Sequence, residues 1–267
     1  MITEQEFQRV AAYVKNKAGI NLNEKKVLVQ GRLDSYMQRK GYSSYDAFMD
    51  RVEKFPTGPE AEDLMNALTT NHTYFWREYE QFIFLKQEVF PELKNRTENT
   101  RDWHIWCAAS SSGEEPYTLA MLCKDFLGLE QAEWDTKILA TDIDTKVLEK
   151  AVRGVYARNS VEQLPHQYVR RFFKQINQEE YRVKDELRQE VLFRQLNLMN
   201  PLPFKKPLHV VFIRNVMIYF DEPTKERLLN NIYEKMAPGG YLFIGSTESM
   251  SQNNTQFRYV RPSIYRK

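Results

Sequence analysis

The sequence has few cysteines and few histidines, and this shortage excludes several kinds of site. It contains two cysteines, Cys107 and Cys123, in 267 residues. They lie too far apart for a Cys-x-x-Cys motif and are too few for a disulfide framework, so we expect both to be reduced packing residues. The four histidines are scattered, and none pairs with another at the spacing of a helical zinc motif. The sequence therefore predicts no metal site.

Long hydrophobic runs are also missing. No stretch approaches the ~18 uninterrupted apolar residues that a membrane-spanning helix needs. The first residues, MITEQEFQRV, are polar and acidic where a signal peptide has a basic start and an apolar run. We therefore expect a cytoplasmic protein that does not insert into a membrane. The formal net charge of +2 also argues against a nucleic-acid binder that relies on overall positive potential.

The residue pattern changes along the chain and indicates two kinds of structure. Residues 1 to about 70 contain short helical patterns separated by turn signals, which predict a small all-helical domain. From about residue 104, short apolar runs alternate with amphipathic stretches, as in a parallel sheet with crossover helices. The predicted strands are 104–109, 137–141, 208–213 and 240–245, and the predicted helices are 114–127, 145–152 and 223–236.

One segment of the α/β region, from about 156 to 196, is longer than a crossover needs. It contains polar, strand-like pieces at 181–183 and 191–196. We therefore predict a small inserted β subdomain in this part of the chain.

Ligands of open parallel sheets bind beyond the carboxyl ends of the strands, so the residues after each strand are site candidates. After the first strand, Gly113 permits a tight turn and Glu115 lies near the start of a helix. A phosphate site would contain more glycine and would avoid the adjacent carboxylates of Glu114 and Glu115, which repel anions. The loop therefore favours S-adenosylmethionine (SAM), which carries a sulfonium and no phosphate, over a dinucleotide.

Asp142 follows the second predicted strand and has two possible roles. Its carboxylate can accept hydrogen bonds from both ribose hydroxyls of an adenosine, or it can cap the helix that begins near Thr145. The residues alone do not decide between them. Asn197 ends a short apolar piece, where its amide can contact the adenine edge while Leu198 covers the ring.

Asn215 and Tyr219 follow a strongly apolar strand, at the position where a methyl donor and its acceptor meet in such a sheet. Residues 200–204 resemble the Asn-Pro-Pro-Tyr motif of amino-group methyltransferases, but they precede this strand, so we interpret them as a connecting loop. Residues 68–78 combine a polar cluster with three aromatic residues and an arginine. They are either ligand contacts or helix caps beside an inter-domain core.

Residues 25–40 form a helical pattern with a basic face. Val29, Leu33, Tyr36 and Met37 have the spacing of a buried stripe, while the basic residues occupy other positions. These basic residues are Lys25, Lys26, Arg32, Arg39 and Lys40. The face is either an ordinary solvated surface or a docking surface for an acidic partner.

Four blocks together resemble the CheR-type chemotaxis receptor glutamate methyltransferases. They are TTNHTYFWRE at 69–78, SGEEPY at 112–117, ATDID at 140–144 and RNVMIYFD at 214–221. They occur in the family's order and spacing across nearly the whole chain. Trp76 stands where phenylalanine is usual, and Ile213 stands where a cysteine often precedes the arginine; neither touches the proposed chemistry.

The resemblance implies a class I SAM-dependent methyltransferase, an α/β Rossmann-like fold with an N-terminal all-helical domain and a small β insertion. The implied domains are 1–75, which docks on the receptor, and 76–267, which binds SAM. The implied reaction transfers the SAM methyl group to glutamate side chains of receptors and leaves S-adenosylhomocysteine, without a metal. The implied SAM contacts are Asn71, Thr73, Arg77, Glu115, Asp142, Asn197, Leu198, Arg214 and Asn215.

The resemblance also places Arg77 and Tyr219 beside the transferring methyl group. It implies that the basic helix docks on the cytoplasmic helical bundle of methyl-accepting receptors, so that a cytoplasmic monomer is recruited to membrane-bound receptor arrays. Two other functions stay open. One is a methyltransferase that acts on nucleic acid or a small molecule, and the other is a non-enzymatic SAM-sensing module.

Overall fold

The N-terminal part of the chain folds into four helices. The computed structural model describes residues 1–250 and 255–267. The helices are α1 (Glu4–Ala18), α2 (Lys26–Lys40), α3 (Tyr45–Lys54) and α4 (Pro59–Leu68). Thr3 caps α1 in a capping box with Glu6, and glycines in the left-handed conformation end α1 and α2. The apolar faces of the four helices share one buried core, as the sequence predicts.

A helical connection that the sequence analysis did not identify joins this domain to the sheet. It runs through α5 (Tyr79–Phe84), a π-helical turn (Leu85–Val89) and α6 (Phe90–Arg96). Leu85, Val89 and Phe90 are fully buried against the α/β core. The connection therefore packs as part of the second domain.

The second domain is built on a seven-stranded sheet. Its strands are β1 (Ile105–Ala108), β2 (Ile138–Asp142), β6 (Val191–Gln195), β7 (Leu208–Ile213), β8 (Met236–Ile244), β9 (Arg258–Arg261) and β10 (Ile264–Arg266). The spatial order is β6-β2-β1-β7-β8-β10-β9. The first five strands are parallel to one another, β10 is antiparallel to β8, and β9 is antiparallel to β10. The longer helices of this domain are α7 (Glu114–Leu127), α8 (Thr145–Arg153) and α12 (Glu222–Lys235). The predicted parallel sheet and its helices are confirmed.

A separate three-stranded antiparallel sheet forms the insertion. It has the order β3-β5-β4, with β3 (Val155–Ala157), β4 (Phe173–Gln175) and β5 (Glu180–Val183). Three short helices accompany it: α9 (Arg158–Val161), α10 (His166–Phe172) and α11 (Asp185–Arg188).

The predicted extent of the insertion, to residue 196, is wrong at its C-terminal end. β6 pairs in parallel with β2 over five residues, from Ile138 opposite Val191 to Asp142 opposite Gln195. It is therefore the edge strand of the main sheet. Its polar appearance in the sequence has a simple cause, because an edge strand has one open side and Arg194 and Gln195 are exposed there.

The two cysteines and the lengths of the helices can be compared with the sequence predictions. Cys107 and Cys123 are free and buried, which confirms them as packing residues. In the part of the chain that the structure describes, no helix has both the length and the apolar character needed to cross a membrane.

Candidate active site

A cleft that is open to solvent lies at the carboxyl ends of β1, β2 and β7. The N-terminal domain closes one side of it with Ala18, Ile20, Leu22, Lys25 and Leu28. Every residue that the resemblance implies for SAM or for the reaction lines this cleft. They are Asn71, Thr73, Arg77, Glu115, Asp142, Asn197, Leu198, Arg214, Asn215 and Tyr219.

Asp142 is a buried carboxylate in the cleft wall. Its Oδ2 accepts a hydrogen bond from the Ser111 N–H at 2.8 Å, and its Oδ1 accepts one from the Asp144 N–H at 3.0 Å. The helix cap is the neighbouring Asp144, whose Oδ1 accepts from the Lys146 and Val147 amides. Since Asp144 caps α8, Asp142 keeps its remaining acceptor capacity for a ligand. Burial raises the pKa of Asp142 to about 6.

The loop between β1 and α7 is held tightly by the insertion. Gly113 has a φ of 97°, and a Cβ there would lie 2.9 Å from both the Ala151 Cβ and the Tyr156 Oη. Tyr156, in β3, donates a hydrogen bond to the Ser112 carbonyl at 2.6 Å. The insertion therefore helps to fix the loop whose Ser110 and Ser111 line the cleft, and only glycine fits at position 113.

Arg214 is a buried cation between two carboxylates. Its Nη1 lies 3.0 Å from the Glu115 Oε2, its Nη2 lies 3.4 Å from the Glu78 Oε2, and Nη2 also donates to the Arg77 carbonyl at 2.6 Å. Glu115 also accepts the Cys107 thiol hydrogen, and burial raises the pKa of the Glu115 carboxyl. This network joins β1, β7 and the segment between the domains.

Three polar atoms of the cleft wall are buried without a hydrogen-bond partner among residues 1–250 and 255–267. They are the Arg214 Nε, the Arg214 Nη1, which lies in the ion pair with Glu115, and the Ser110 Oγ. Buried polar groups are normally paired, so a polar ligand is expected here. The same described residues contain no group of three or more His, Cys, Asp or Glu side chains placed to hold a metal ion. The Arg214 Nε and the Ser110 Oγ fit an organic ligand that carries carboxylate or hydroxyl groups.

The segment between the domains runs along the cleft. The Asn71 Nδ2 donates to the Asp144 Oδ2 at 2.7 Å, and the Asn71 carbonyl accepts from the Ser111 Oγ at 2.8 Å. The Arg77 Nη1 donates to the His72 carbonyl at 2.9 Å. Thr73, in the same segment, also lines the cleft.

Two of the three aromatic residues of the same segment have the packing role that the sequence left open. Phe75 is buried against Tyr156 and Phe173 of the insertion, and Trp76 packs on Tyr168. Tyr74 is instead 42% exposed and lies beside the Arg77 guanidinium. Ligand contact by the polar side chains stays a prediction, and Asn71, Thr73 and Arg77 line the cleft.

Asn197 differs from its predicted role in one respect. Its Nδ2 donates to the Lys17 carbonyl at 2.6 Å, and its Oδ1 accepts from the Met199 N–H. Both ends of the amide are thus engaged: the Nδ2 bond joins the two domains, and the Oδ1 bond is local to the loop after β6. Asn197 and the nearly buried Leu198 still line the cleft.

Tyr219 lies where the two domains meet at the cleft. It ends a 3₁₀ turn (Met217–Tyr219), and its carbonyl accepts the Asn21 N–H at 2.7 Å. The Lys25 ammonium lies 5.5 Å from the centre of the Tyr219 ring. The phenol is therefore held between the sheet and the N-terminal domain.

The sequence analysis missed Glu248 and assigned no role to Glu78. The Glu78 carboxylate accepts from the Ser246 N–H at 3.0 Å and lies beside Arg214. Glu248 is buried and accepts three backbone N–H groups around Asn215. Glu248 follows the predicted strand 240–245, so examination of the residues after that strand would have found it.

The basic residues of the second helix do not share one free face. Arg32 donates to the Leu68 carbonyl at 3.1 Å and the Thr69 carbonyl at 2.7 Å, so its guanidinium holds the end of α4. Arg32 therefore has a structural role that the sequence did not predict, and its docking role stays a prediction. Lys26 forms an ion pair with Glu4 at 3.0 Å, whereas Arg39 and Lys40 are exposed. The predicted buried stripe of Val29, Leu33, Tyr36 and Met37 is confirmed.

The two domains match the two parts of one protein family, in chain order. Residues 5–69 match the CheR methyltransferase all-alpha domain. Residues 71–265 match the CheR methyltransferase SAM-binding domain.

Full-length relatives agree with this match. A chemotaxis protein methyltransferase of Borreliella burgdorferi is 37% identical over 100% of this chain and 95% of its own length. Chemotaxis protein methyltransferase 2 of Vibrio cholerae is 35% identical over 98% of this chain and 91% of its own. The chemotaxis protein methyltransferase of Escherichia coli is 32% identical over 99% of this chain and 91% of its own.

These matches confirm the class I methyltransferase fold with its helical N-terminal domain, and they confirm SAM as the ligand of the second domain. The cleft lies in the matched SAM-binding part and receives side chains from the matched all-alpha part. The chain therefore belongs to the CheR methyltransferases, the family of the chemotaxis protein methyltransferases.

Proposed function

We propose that this protein transfers a methyl group from SAM to glutamate side chains of chemotaxis receptors, forming methyl esters. One observation carries the proposal. The cleft of the SAM-binding domain opens where the helical domain places Lys25 beside Tyr219. An anionic side chain that enters from this side therefore meets a cation and a phenol at the position of methyl transfer.

Six of the cleft residues are proposed to lie at one end of SAM or the other. Asp142 would accept hydrogen bonds from the ribose hydroxyls, with Asn197 and Leu198 near the adenine. Arg214, with its unpaired Nε, would act with Ser110 at the polar amino-acid end, where Glu115 attracts the ammonium group. The remaining contacts proposed are Asn71, Thr73, Arg77 and Asn215.

Bound SAM supplies an electrophilic methyl group that a carboxylate oxygen can take in line, leaving S-adenosylhomocysteine. A glutamate carboxylate is ionised at neutral pH, because its ordinary pKa is about 4.3, so the protein needs no general base. Catalysis then rests on positioning and exclusion of water. Arg77 and Tyr219 are the residues proposed to hold the acceptor carboxylate in place.

The docking surface is proposed to be the exposed basic part of the second helix and its start, formed by Lys25, Lys26, Arg39 and Lys40. The partner is the acidic, helical cytoplasmic bundle of a methyl-accepting receptor, which recruits the enzyme to membrane-bound arrays. Lys25 and Arg39 lie at opposite ends of α2, about 20 Å apart by helical rise. A helical partner laid along α2 would therefore bring its side chains to the cleft.

The test is incubation of the protein with methyl-labelled SAM and receptor cytoplasmic fragments, followed by mild base. Release of the label from the receptor as a volatile product supports a carboxyl methyl ester. Label that resists base, or label on nucleic acid or a small molecule, contradicts the glutamate acceptor. SAM binding without transfer to any acceptor favours the sensing module.

A further inference from the structure

Glu248 connects the loops that follow two neighbouring strands of the sheet. Its side chain is 9% exposed, and its carboxylate accepts three backbone N–H hydrogen bonds. Oε2 accepts from Gly245 at 2.7 Å and from Asn215 at 2.9 Å, while Oε1 accepts from Ile218 at 3.2 Å. Gly245 follows β8, and the other two residues follow β7. One carboxylate thus organises the cleft edge at both strands.

The loop after β7 needs such support. Asn215 has a φ of 58°, a left-handed conformation that is unfavourable for most residues with a side chain. A Cβ on Gly245 would lie 2.5 Å from the Asn215 Nδ2, so the two loops are in direct contact. Hydrogen bonds from backbone amides to an ionised carboxylate are among the stronger ones in proteins. The bonds to Glu248 therefore stabilise the strained turn.

We propose that Glu248 is a positioning residue for methyl transfer, which sets the orientation of Tyr219 through the Ile218 amide. The proposal rests on the proposed function, because it concerns the acceptor side of that reaction. Ile218 and Tyr219 are consecutive residues of the same 3₁₀ turn. The Asn21 N–H holds the other side of Tyr219 by its carbonyl. Glu248 and the N-terminal domain therefore hold this turn from two sides.

The two oxygens of Glu248 make different bonds, and this difference makes a sharp test possible. In Glu248→Gln, the amide oxygen can keep the pair of bonds from Gly245 and Asn215. The amide nitrogen then faces the Ile218 N–H, and two donors cannot bond. The variant is expected to release the Tyr219 side of the loop while it keeps the Asn215 side, which contributes to the proposed SAM site.

The experiment measures kcat with receptor fragments at saturating SAM, the Kd of SAM by calorimetry and the unfolding temperature. For Glu248→Gln we expect kcat to fall about tenfold or more, because displacement of a positioning group slows a reaction strongly. We expect the Kd of SAM to change less than about threefold, well below the tenfold that corresponds to about 1.4 kcal/mol.

Glu6→Gln is the matched control. Glu6 is also 9% exposed, and its carboxylate accepts the N–H groups of Thr3 and Tyr45 in the helical domain, away from the cleft. We expect this control to lower the unfolding temperature and to leave kcat unchanged. An equal fall of kcat in both variants would show that Glu248 acts only through general stability and would overturn the proposal.

A double-mutant cycle with Tyr219→Phe identifies the route of the effect. If Glu248 acts through Tyr219, the double variant loses less kcat than the product of the two single losses. Independent effects, or a wild-type kcat in Glu248→Gln, contradict the proposal. If the wild-type protein itself methylates no receptor, the proposed function fails, and this result is distinct from a failure of Glu248 alone.

Discussion

Asp142 and Asp144 are two residues apart and have different partners, which makes Asp142 testable by itself. Asp144 caps α8, while Asp142 faces the cleft with a pKa raised to about 6 by burial. For Asp142→Asn we expect SAM binding to weaken by about 1.5–3 kcal/mol, the range for a hydrogen bond to a charged group. Calorimetric titration with SAM measures this. Asp185→Asn, at an exposed position in α11, is the control and should bind as the wild type does.

The raised pKa of the Asp142 carboxyl predicts how SAM affinity depends on pH. As the pH falls through about 6, the Asp142 carboxylate takes up a proton, so the wild-type affinity should decrease towards about pH 5. The folded pKa lies above the ordinary value of about 3.9. The stability contribution of Asp142 is therefore present below about pH 4 and is lost as the pH rises through 6. A loss of SAM affinity in acid would therefore not result from unfolding caused by protonation of Asp142. If Asp142→Asn keeps the same pH dependence, another group is responsible.

Tyr219 contributes to the reaction rather than to the fold in this account. For Tyr219→Phe we expect turnover to fall by about tenfold to a hundredfold, because one hydrogen bond to the acceptor carboxylate is lost. The Kd of SAM should remain close to the wild-type value. Steady-state kinetics with receptor fragments gives both numbers. Tyr259→Phe removes a hydroxyl from the exposed edge strand and serves as the control; an unchanged rate in both variants removes Tyr219 from the mechanism.

The sequence predicts which residues gather at the cleft but not which hydrogen bonds each one forms. Asp142, Arg214 and Tyr219 follow strands, so the geometry of a parallel sheet brings them together. The choice between Asp142 and Asp144 as the cap depends on the backbone turn, and the engagement of Asn197 depends on the distant Lys17 carbonyl. Such contacts between remote segments leave no local pattern in the sequence.

A substitution in the turn before α7 tests how tightly the insertion holds the loop beside the cleft. Gly113→Ala places a methyl group 2.9 Å from Ala151 and Tyr156 in a left-handed backbone. We expect it to lower the free energy of unfolding by about 2–4 kcal/mol, from left-handed strain and overpacking. Denaturant unfolding measures this value.

Gly31→Ala is the matched control for this substitution. Gly31 lies within α2, and a Cβ there has nothing within 4 Å. The control should raise the free energy of unfolding by about 0.5–1 kcal/mol, since alanine favours helices. Similar losses in both variants would contradict the packing described around Gly113.

The structural role of Arg32 in the second helix can be tested separately from the proposed docking role of Arg39 and Lys40. We expect Arg32→Ala to destabilise the protein by about 1–3 kcal/mol, because the carbonyls at the end of α4 lose a charged partner. Arg39→Ala should change stability by less than about 0.5 kcal/mol, as is usual for exposed residues. Thermal unfolding compares the two.

Kinetics of receptor methylation test the proposed docking role of the exposed basic residues. Charge reversal at Arg39 and Lys40 should raise the KM for the receptor fragment and leave the Kd of SAM unchanged. An unaltered KM for the receptor would contradict docking through this helix.

Hydrophobic periodicity in the sequence predicts the buried helices and strands best. The predicted strand 208–213 and helix 114–127 agree with β7 and α7, since their apolar residues face the core continuously. Edge strands are harder to predict. β6 looks polar because one side is open, and all four residues of β9 are exposed, so neither has the apolar run of a central strand.

Over the whole molecule, the cleft depends on how the two domains are joined. The Thr69 hydroxyl donates to Asp144 at 2.9 Å, and Lys15 forms an ion pair with Asp221 at 2.8 Å. The Asn197 and Asn21 hydrogen bonds cross the same junction. The helical domain is thus a wall of the cleft as well as the proposed docking surface. The sequence predicts both domains from their patterns, but their junction follows only from the fold.

The most direct test of the account identifies the methylated side chain. Receptor fragments are incubated with the protein and SAM, digested, and analysed by peptide fragmentation mass spectrometry. We predict that the mass of one added methylene maps to glutamate side chains, disappears after mild base, and is much reduced with Tyr219→Phe. Modification confined to lysine, arginine or a chain terminus, or none on any receptor peptide although SAM binds, would contradict the account.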